Sequence, residues 1–239
     1  MLPSPLSNPP QTANTLLEHL FLDWNGTLFS DTWAAVIANN ELFKVLGVRP
    51  ISKTDWQATF EIPIINFYLH HGCSLEKMAA DPASLQQLFS QSYEPLADRC
   101  RTRRGARQLL SWLGENKIRR LLLSNHTEPE IIAQLKRLRL INSFEVLTAS
   151  QELSGVIVEA TKEAKLAAHL KTTTSPKKRI AIIGDAPEEV EIGRRAGIWT
   201  IAITGGFYST SRLRACHPDF LVDSLPAALA VLQELHAID

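Results

Sequence analysis

The sequence predicts an α/β protein: a doubly wound parallel sheet with a helical cap domain inserted after the first strand. From Arg104 onward, stretches with helical periodicity alternate with short apolar stretches, which is typical of βαβ units. An earlier apolar stretch, about Leu17 to Leu22, predicts one more strand for this sheet. Between the two, residues 32–100 lack strand signals. We expect this insert to cover the carboxyl ends of the strands, where open α/β sheets bind ligands.

The segments of the insert are helical in pattern and follow the first strand in order. They are "TWAAVIANNELFKVLG", "IPIINFYLHHG", "SLEKMAA" and "PASLQQLFSQSYEPLADRC". The core then resumes with "GARQLLSWLGEN", whose Ala106, Leu109, Leu110 and Leu113 share one helical face. A short buried strand, "IRRLLLS", is predicted to end at Ser124, and "PEIIAQLKRL" predicts a helix that starts near Pro129.

The remaining segments continue the alternation to the end of the chain. "FEVLTAS" is a candidate strand, "KEAKLAAHLK" a helix, and "RIAIIGD" the clearest buried strand of all. "PEEVEIGRRAG" places proline in the first turn of a helix and glycine after its end, the expected asymmetry. Two more strands, "WTIAIT" and "DFLVDS", precede a last amphipathic helix. We therefore expect a sheet of five or six strands.

These segments predict three units within the 239 residues. Residues 1–16 are polar and proline-rich and predict a flexible tail. Residues 17–31 and 101–239 form the core domain, and residues 32–100 form the helical cap domain. This length is within the usual range for one core with a smaller insert.

Composition narrows the classes of partner and compartment. Lys plus Arg and Asp plus Glu both number 25, so the net charge gives no indication of nucleic-acid or membrane binding. The three cysteines form no CxxC pair, which favours a reducing compartment. The sequence contains neither a signal-peptide pattern nor an apolar run long enough for a membrane span. We expect a cytoplasmic protein, and the sequence does not determine its oligomeric state.

Polar side chains follow three of the predicted strands. Asp23 follows the first strand, Ser124 the second, and Asp185 follows "RIAIIG". Because parallel strands end at one edge of the sheet, we expect these side chains in one crevice. Two carboxylates there repel each other unless a cation lies between them. With Glu189 one helical turn beyond Asp185, they predict an oxygen-rich site suited to Mg²⁺, which commonly acts on phosphates.

A phosphate in this crevice needs hydrogen-bond donors and positive charge. Gly26 and Thr27 offer backbone N–H groups just past the first strand. Ser124 offers a hydroxyl, and Lys162 at the start of a helix offers a charge that would stabilise a transferring phosphoryl group. Asp23 is then a plausible nucleophile, since carboxylates form covalent intermediates in phosphoryl transfer.

The chain resembles the haloacid dehalogenase (HAD) superfamily, whose four motifs occur here in order. They are "FLDWNGTL", "LLLSN", Lys162 in "ATKEAKLAAHL", and "IIGDAPEEVEIGRRAG". The resemblance spans about Leu20 to Leu232 and is greatest to the phosphoglycolate phosphatase-like branch. It implies a HAD-like Rossmannoid core, and the insert is similar to the C1-type cap of the family.

The resemblance implies a magnesium-dependent phosphatase that acts on a small phosphate ester, and it gives each matching residue a role. Asp23 would be the nucleophile. Mg²⁺ would be bound by the Asp23 side chain, the Asn25 backbone carbonyl and Asp185, with Glu189 holding a metal-bound water. The phosphate would be bound by Gly26, Thr27, Ser124, Asn125 and Lys162. Lys165 competes with Lys162 for the third motif.

Asn25 departs from the family pattern. Relatives that are phosphatases usually carry aspartate there, which protonates the leaving alcohol and later activates water. An amide does neither, and a positioned acid or base typically contributes about 10²- to 10⁴-fold in rate. Asp31, His126, His70 and His71 are candidate substitutes. Slow turnover, a stabilised phospho-enzyme or a substrate with an acidic leaving group would also be compatible with the amide.

Two rival functions remain open for the same fold. Carbon–halogen hydrolysis is disfavoured by the acidic pair Asp185 and Glu189, and phosphonate cleavage would need a cap lysine such as Lys53 or Lys77. The other rival binds a phosphorylated ligand or a partner with weak or no turnover. An arginine-rich stretch that contains Arg103 could bind a substrate anion, but we expect it to contact solvent and nearby acids instead.

Overall fold

The computed structural model describes residues 16–150 and 162–237. Six strands in these ranges form one parallel sheet in the order β3-β2-β1-β4-β5-β6. They are β1 (His19–Leu22), β2 (Arg119–Thr127), β3 (Val146–Ser150), β4 (Ile180–Gly184), β5 (Trp199–Ile203) and β6 (Phe220–Val222). The predicted parallel sheet is confirmed, with six strands.

Five helices lie between β1 and the core helix that precedes β2. They are α1 (Thr32–Leu46), α2 (Lys53–Thr59), α3 (Ile64–His70), α4 (Leu75–Ala80) and α5 (Pro82–Ala97). The core helices are α6 (Ala106–Glu115), α7 (Glu128–Arg137), α8 (Lys162–Thr172), α9 (Pro187–Ala196), α10 (Thr210–Ala215) and α11 (Leu225–His236). Short 3₁₀ turns occur at Ile141–Ser143 and Lys177–Arg179. The predicted helical insertion is therefore confirmed.

Helices cover both faces of the sheet, as the doubly wound prediction requires. Successive residues of a strand point to opposite faces, so Phe21 of β1 packs with Leu166 of α8 and Ile192 of α9. Leu20 and Leu22 belong to the larger cluster on the other face, to which α6, α7 and α11 contribute Leu109, Ile131 and Leu229. Because both faces are covered, strands at the centre of the sheet are largely apolar, and β4 is apolar along its whole length.

Two short connections join the insert to the core, and they pair with each other. The Ser30 N–H donates to the Arg101 carbonyl over 2.9 Å, and the Arg103 N–H donates to the Leu28 carbonyl over 2.8 Å. The outgoing and returning chains thus run side by side directly after β1. This pairing keeps the insert close to the carboxyl end of the sheet.

The insert also packs on a core loop that follows β5. The rings of Trp56 and Phe60 meet the Phe207 ring edge to face at centroid distances of 5.7 and 5.4 Å. The Gln57 side-chain amide donates to the Gly206 carbonyl over 2.7 Å. This aromatic contact fixes the insert over the carboxyl ends of β4 and β5.

Some boundaries differ from the sequence-based predictions. β1 begins at His19 instead of about Leu17, although the Glu18 backbone still bonds to Arg179 and Arg119. Ser124 lies inside β2 instead of after it, because β2 continues to pair with β3 beyond the last residue of β1. The N-terminal tail falls outside the described residues up to position 15. No helix in the described ranges is long and apolar enough to cross a membrane.

Candidate active site

The carboxyl ends of β1 and β4 bring the two predicted aspartates to neighbouring positions. Leu22 is paired with Leu122 on one side and with Ile183 on the other. Asp23 follows Leu22 directly, and Asp185 follows Gly184, the last residue of β4. Both aspartates are buried. The proximity expected from the parallel sheet is therefore found.

A buried ammonium group links the nucleophile candidate to the fourth motif. Lys162 Nζ lies 2.7 Å from Asp23 Oδ1 and also donates to Glu189 Oε1. All three side chains are at most 6% exposed. Lys162 is the first residue of α8, and Glu189 is in the first turn of α9. Two helices on one face of the sheet thus place the Lys162 ammonium and the Glu189 carboxylate at the end of β1.

Burial and mutual charge shift the pKa values of this group. Burial alone would lower the pKa of Lys162, but the carboxylates of Asp23 and Glu189 hold it well above its usual range. Burial raises the pKa of Glu189 to about 7, although the charge of Lys162 opposes the rise. Burial, and next the charge of Asp23, raise the pKa of Asp185 well above its usual range. The two aspartates are therefore close enough to repel each other.

Asp185 lies in a cradle of small residues and donors. The Thr27 hydroxyl donates to Asp185 Oδ1 over 3.1 Å, and the Phe207 N–H donates to Oδ2 over 2.5 Å. A Cβ atom added to Gly26 would lie 2.9 Å from Asp185 Cγ, and one added to Gly206 would lie 2.5 Å from it. Only glycine leaves room for the carboxylate at these two positions.

Each connection to the insert supplies one side chain that hydrogen-bonds to the backbone of Gly26. Its N–H donates to Asp31 Oδ1 over 2.8 Å, and its carbonyl accepts from the Arg103 guanidinium over 2.9 Å. Gly26 has a φ of 75°, in the left-handed region. Arg103 also donates to the Thr204 carbonyl over 2.8 Å. Arg103 was expected to contact solvent and nearby acids; the acids Asp185 and Asp223 are near it, but its guanidinium joins the loop after β1 to the loop after β5 instead of facing solvent.

The amide of Asn25 belongs to a buried polar group. Asn25 Nδ2 donates to Asp31 Oδ2 over 2.8 Å and to the Tyr93 hydroxyl over 3.1 Å. The Tyr93 hydroxyl donates in turn to Asp31 Oδ2 over 2.6 Å. Burial raises the pKa of Asp31 to about 6, and the three donors around it oppose the rise. Asp31 thus contacts Asn25 directly, but its oxygens already accept these bonds.

The second motif contributes a buried hydroxyl and an amide. The Ser124 hydroxyl accepts the His126 N–H over 3.0 Å, and Ser124 is 1% exposed. Asn125 Nδ2 donates to Glu188 Oε2 over 3.0 Å. Lys165 Nζ lies 3.4 Å from the Ser124 carbonyl. Of the two lysines of the third motif, Lys162 is therefore the one whose ammonium is shown paired with Asp23 and Glu189.

The candidate substitutes for an acid or base occupy different environments. His126 packs edge to face on Tyr93 at 5.8 Å, and burial lowers its pKa to about 4. Its Nε2 lies 3.9 Å from Glu94 Oε1, whose pKa burial raises to about 7. Since both shifts favour the neutral forms and the distance exceeds that of a hydrogen bond, we treat this pair as neutral. His70 is exposed, and His71 bonds to the Thr59 hydroxyl.

Among the described residues, no three His, Cys, Asp or Glu side chains are already spaced to hold a metal ion. Lys162 lies between Asp23 and Glu189. The balance of charge nevertheless suits a cation, because three buried carboxyl groups share the charge of one buried ammonium. Arg103 is near Asp185, but its guanidinium is bonded to carbonyl oxygens. Carboxylate oxygens are also the donors that Mg²⁺ prefers.

Comparison with known proteins gives the family. The chain belongs to the haloacid dehalogenase-like hydrolase family, whose model matches residues 20–203, and the resemblance drawn from the four motifs is confirmed. The chain is 21% identical over 216 residues to the phosphoglycolate phosphatase of Pseudomonas fluorescens, which covers 88% of this chain and 78% of that protein.

Solved structures confirm the fold. A haloacid dehalogenase-like hydrolase from Streptococcus pneumoniae has a TM-score of 0.68 at 22% identity, with 91% of this chain and 99% of that chain covered. A β-phosphoglucomutase from Clostridium difficile has a TM-score of 0.72 at 14% identity, with 92% and 97% covered. At these identities the likeness concerns the fold alone.

Three contacts at the site were not predicted from the sequence. They are the Tyr93 hydroxyl on Asp31, the Phe207 N–H on Asp185, and the Arg103 guanidinium on Gly26. Tyr93 comes from the insert and Phe207 from a loop, so no local pattern marks either one. Arg103 was visible only as one of several arginines.

Replacement of Lys162 tests the balance of charge directly. We expect Lys162→Met to lower the free energy of unfolding by about 3 to 5 kcal/mol in magnesium-free buffer, because the buried carboxylates lose their cation. The matched control is Lys171→Met at the other end of the same helix, whose side chain is exposed and for which we expect a smaller loss. Urea unfolding followed by circular dichroism measures both. Equal losses in the two variants would contradict the structural role of the Lys162 ammonium.

His126 predicts a dependence of stability on pH. The unfolded imidazole takes up a proton near pH 6.5, whereas the folded one stays neutral down to about pH 4. The stabilisation is therefore complete above pH 6.5 and is lost as the pH falls towards 4, by up to roughly 3 kcal/mol. We expect His126→Gln to remove this loss, which urea unfolding at pH 7.5, 5.5 and 4.5 would measure.

The exposed His70 provides the control for this pH series. His70→Gln should follow the wild type at every pH, while Glu94 beside His126 is present in all three proteins. A constant stability difference between wild type and His126→Gln across the series would show that His126 does not titrate as the structure requires.

Proposed function

We propose that this chain is a magnesium-dependent phosphomonoester hydrolase that acts through an aspartyl-phosphate on Asp23. The observation that carries the proposal is the buried group of Asp23, Lys162, Glu189 and Asp185 at the carboxyl end of the sheet. Membership of a hydrolase family supports it. The similarity to a phosphoglycolate phosphatase supports a phosphate ester as the substrate class.

The proposed roles combine what the family resemblance implies with the contacts of each residue. Asp23 Oδ attacks phosphorus, the bond from phosphorus to the leaving oxygen breaks, and water then releases inorganic phosphate from Asp23. Lys162 is already paired with Asp23 and would offset the negative charge of the phosphoryl oxygens. Ser124 and Asn125 are the proposed phosphate donors, and Ser124 is the most deeply buried polar group of the second motif. The N–H groups of Gly26 and Thr27, which were expected from the sequence to be further donors, instead donate to Asp31 Oδ1 and to the Trp24 carbonyl.

Mg²⁺ is the proposed cofactor, and the donor set fits it. Asp23 and Asp185 would supply carboxylate oxygens, Asn25 its backbone carbonyl, and Glu189 a hydrogen bond to metal-bound water. When bound, the ion would neutralise charge on the phosphate oxygens. The mutual repulsion of Asp23 and Asp185 supports a cation between them. Lys162 would then give up part of its contact with the acids to the incoming phosphate.

The insert is the proposed cap domain, residues 32–100, on a core of residues 17–31 and 101–239. Its aromatic contact with Phe207 places it against the loop that bonds Asp185. Such a cap would exclude water until Asp23 has been phosphorylated. The proposed substrate is a small soluble phosphate, such as a glycolate, sugar or nucleotide phosphate.

A second candidate function is supported by the Asn25 amide. An enzyme without an acid at this position could bind a phosphorylated ligand and turn it over weakly or not at all. Asp31 does not readily replace the acid, because its oxygens accept bonds from Asn25, Gly26 and Tyr93. For phosphonate cleavage, Lys53 and Lys77 are exposed on α2 and α4, and no contact favours them.

Esters with graded leaving groups distinguish the candidates. We expect the wild type to hydrolyse p-nitrophenyl phosphate with Mg²⁺, and Asp23→Asn to abolish this release of phosphate. Asn25→Asp should accelerate alkyl phosphates by about 10²-fold or more and p-nitrophenyl phosphate far less, because only poor leaving groups need a proton. Phosphate release measured by a colorimetric assay gives both rates.

Exposed Asp98 gives the control for the loss of a carboxylate, since its side chain is 72% exposed. Asp98→Asn should keep wild-type rates. Equal acceleration of all esters by Asn25→Asp would contradict the acid-base account of Asn25. Magnesium-dependent ligand binding without phosphate release by the wild type would favour the second candidate.

A further inference from the structure

A tyrosine of the insert reaches across to the loop that follows β1. Tyr93 lies on α5 and is 3% exposed, and Asp31, at the end of the outgoing connection directly before α1, is fully buried. The distances from Asp31 Oδ2 are 2.6 Å to the Tyr93 hydroxyl and 2.8 Å to Asn25 Nδ2. The three polar groups form a closed triangle, because Asn25 Nδ2 also lies 3.1 Å from the Tyr93 hydroxyl.

The direction of these hydrogen bonds fixes the orientation of the Asn25 amide. An ionised carboxylate only accepts hydrogen bonds, so the NH₂ end of Asn25 must face Asp31. The Tyr93 hydroxyl donates its hydrogen to Asp31, so its oxygen accepts a hydrogen bond from the second N–H of the Asn25 amide. With the NH₂ group held in this way, the Asn25 carbonyl oxygen faces away from Asp31 and Tyr93.

The triangle also depends on the position of the insert. Asp31 is anchored to the core, since its Oδ1 accepts the Gly26 N–H over 2.8 Å. Tyr93 moves with α5, which packs on α1 within the insert. The Asn25 side chain is half-buried and lies two residues after Asp23. A shift of α5 would therefore remove one of the two groups that orient the amide.

We propose that Tyr93 and Asp31 are positioning residues that hold the Asn25 amide with its carbonyl oxygen free as an acceptor. The side chain at this position then accepts a hydrogen bond from a hydroxyl or water next to Asp23 and offers no proton to a leaving group. The effect on turnover rests on the proposed phosphatase function, whereas the orientation of the amide does not.

A double-mutant cycle tests whether Tyr93 acts through Asn25. We expect Tyr93→Phe to lower kcat for p-nitrophenyl phosphate about fivefold with little change in KM, the effect of losing one hydrogen bond. In the Asn25→Ala background, the same change should have no further effect. The control is Tyr68→Phe, which removes a hydroxyl elsewhere in the insert, from a ring that packs on Phe43, and should leave kcat unchanged.

Side-chain amide NMR signals test the orientation without turnover. The Asn25 pair of ¹H–¹⁵N signals is assigned by its loss in Asn25→Ala. We expect Tyr93→Phe and Asp31→Asn to shift this pair and Tyr68→Phe to leave it in place. If the wild type hydrolyses nothing, the proposed function fails while this measurement still decides the inference. Unshifted signals in Tyr93→Phe, or a fivefold loss of kcat that persists in the Asn25→Ala background, would overturn it.

Discussion

The burial of Asp23 and Glu189 on the Lys162 ammonium, with Asp185 beside them, constrains the whole carboxyl end of the sheet. Charged groups in a protein interior are costly unless they are paired, and here one ammonium pairs with Asp23 and Glu189 while Asp185 is bonded to Thr27 and Phe207. The structure meets this constraint by surrounding Asp185 with donors and with glycines that leave it room. The excess of negative charge makes the site suitable for a divalent cation and, with it, a phosphate.

The helical insert is joined to this site at several points, so its position and the geometry of the site depend on each other. Asp31 and Arg103, in the two connections, hold the two sides of Gly26. Trp56 and Phe60 pack on Phe207, whose N–H bonds to Asp185. Movement of the insert would therefore change the contacts that hold both Asn25 and Asp185. This coupling gives a physical basis for a cap that responds to the occupant of the site.

Much of this arrangement was predictable, because strand ends in a parallel sheet meet at one edge. That rule placed Asp23 near Asp185 although 161 intervening residues separate them. The same rule put Ser124 after the end of β2, whereas Ser124 lies inside this strand. The reason is that β2 continues beyond the end of β1 by pairing with β3. The choice between Lys162 and Lys165 was open, because both lie in the first turn of one helix and the sequence does not show which ammonium reaches Asp23. The contact between Tyr93 and Asp31 could not be predicted, since it depends on how α5 packs and no local sequence pattern indicates it.

The most direct test of this account is thermal unfolding of wild type and Asp185→Asn, measured by circular dichroism with and without MgCl₂. Without the metal, Asp185→Asn should have the higher Tm, because one of the repelling buried acids is gone. Added MgCl₂ should raise the Tm of the wild type to a plateau and leave that of Asp185→Asn almost unchanged. A Tm of the wild type that does not respond to MgCl₂, or equal shifts in both proteins, would contradict the claim that these acids are arranged around a shared cation.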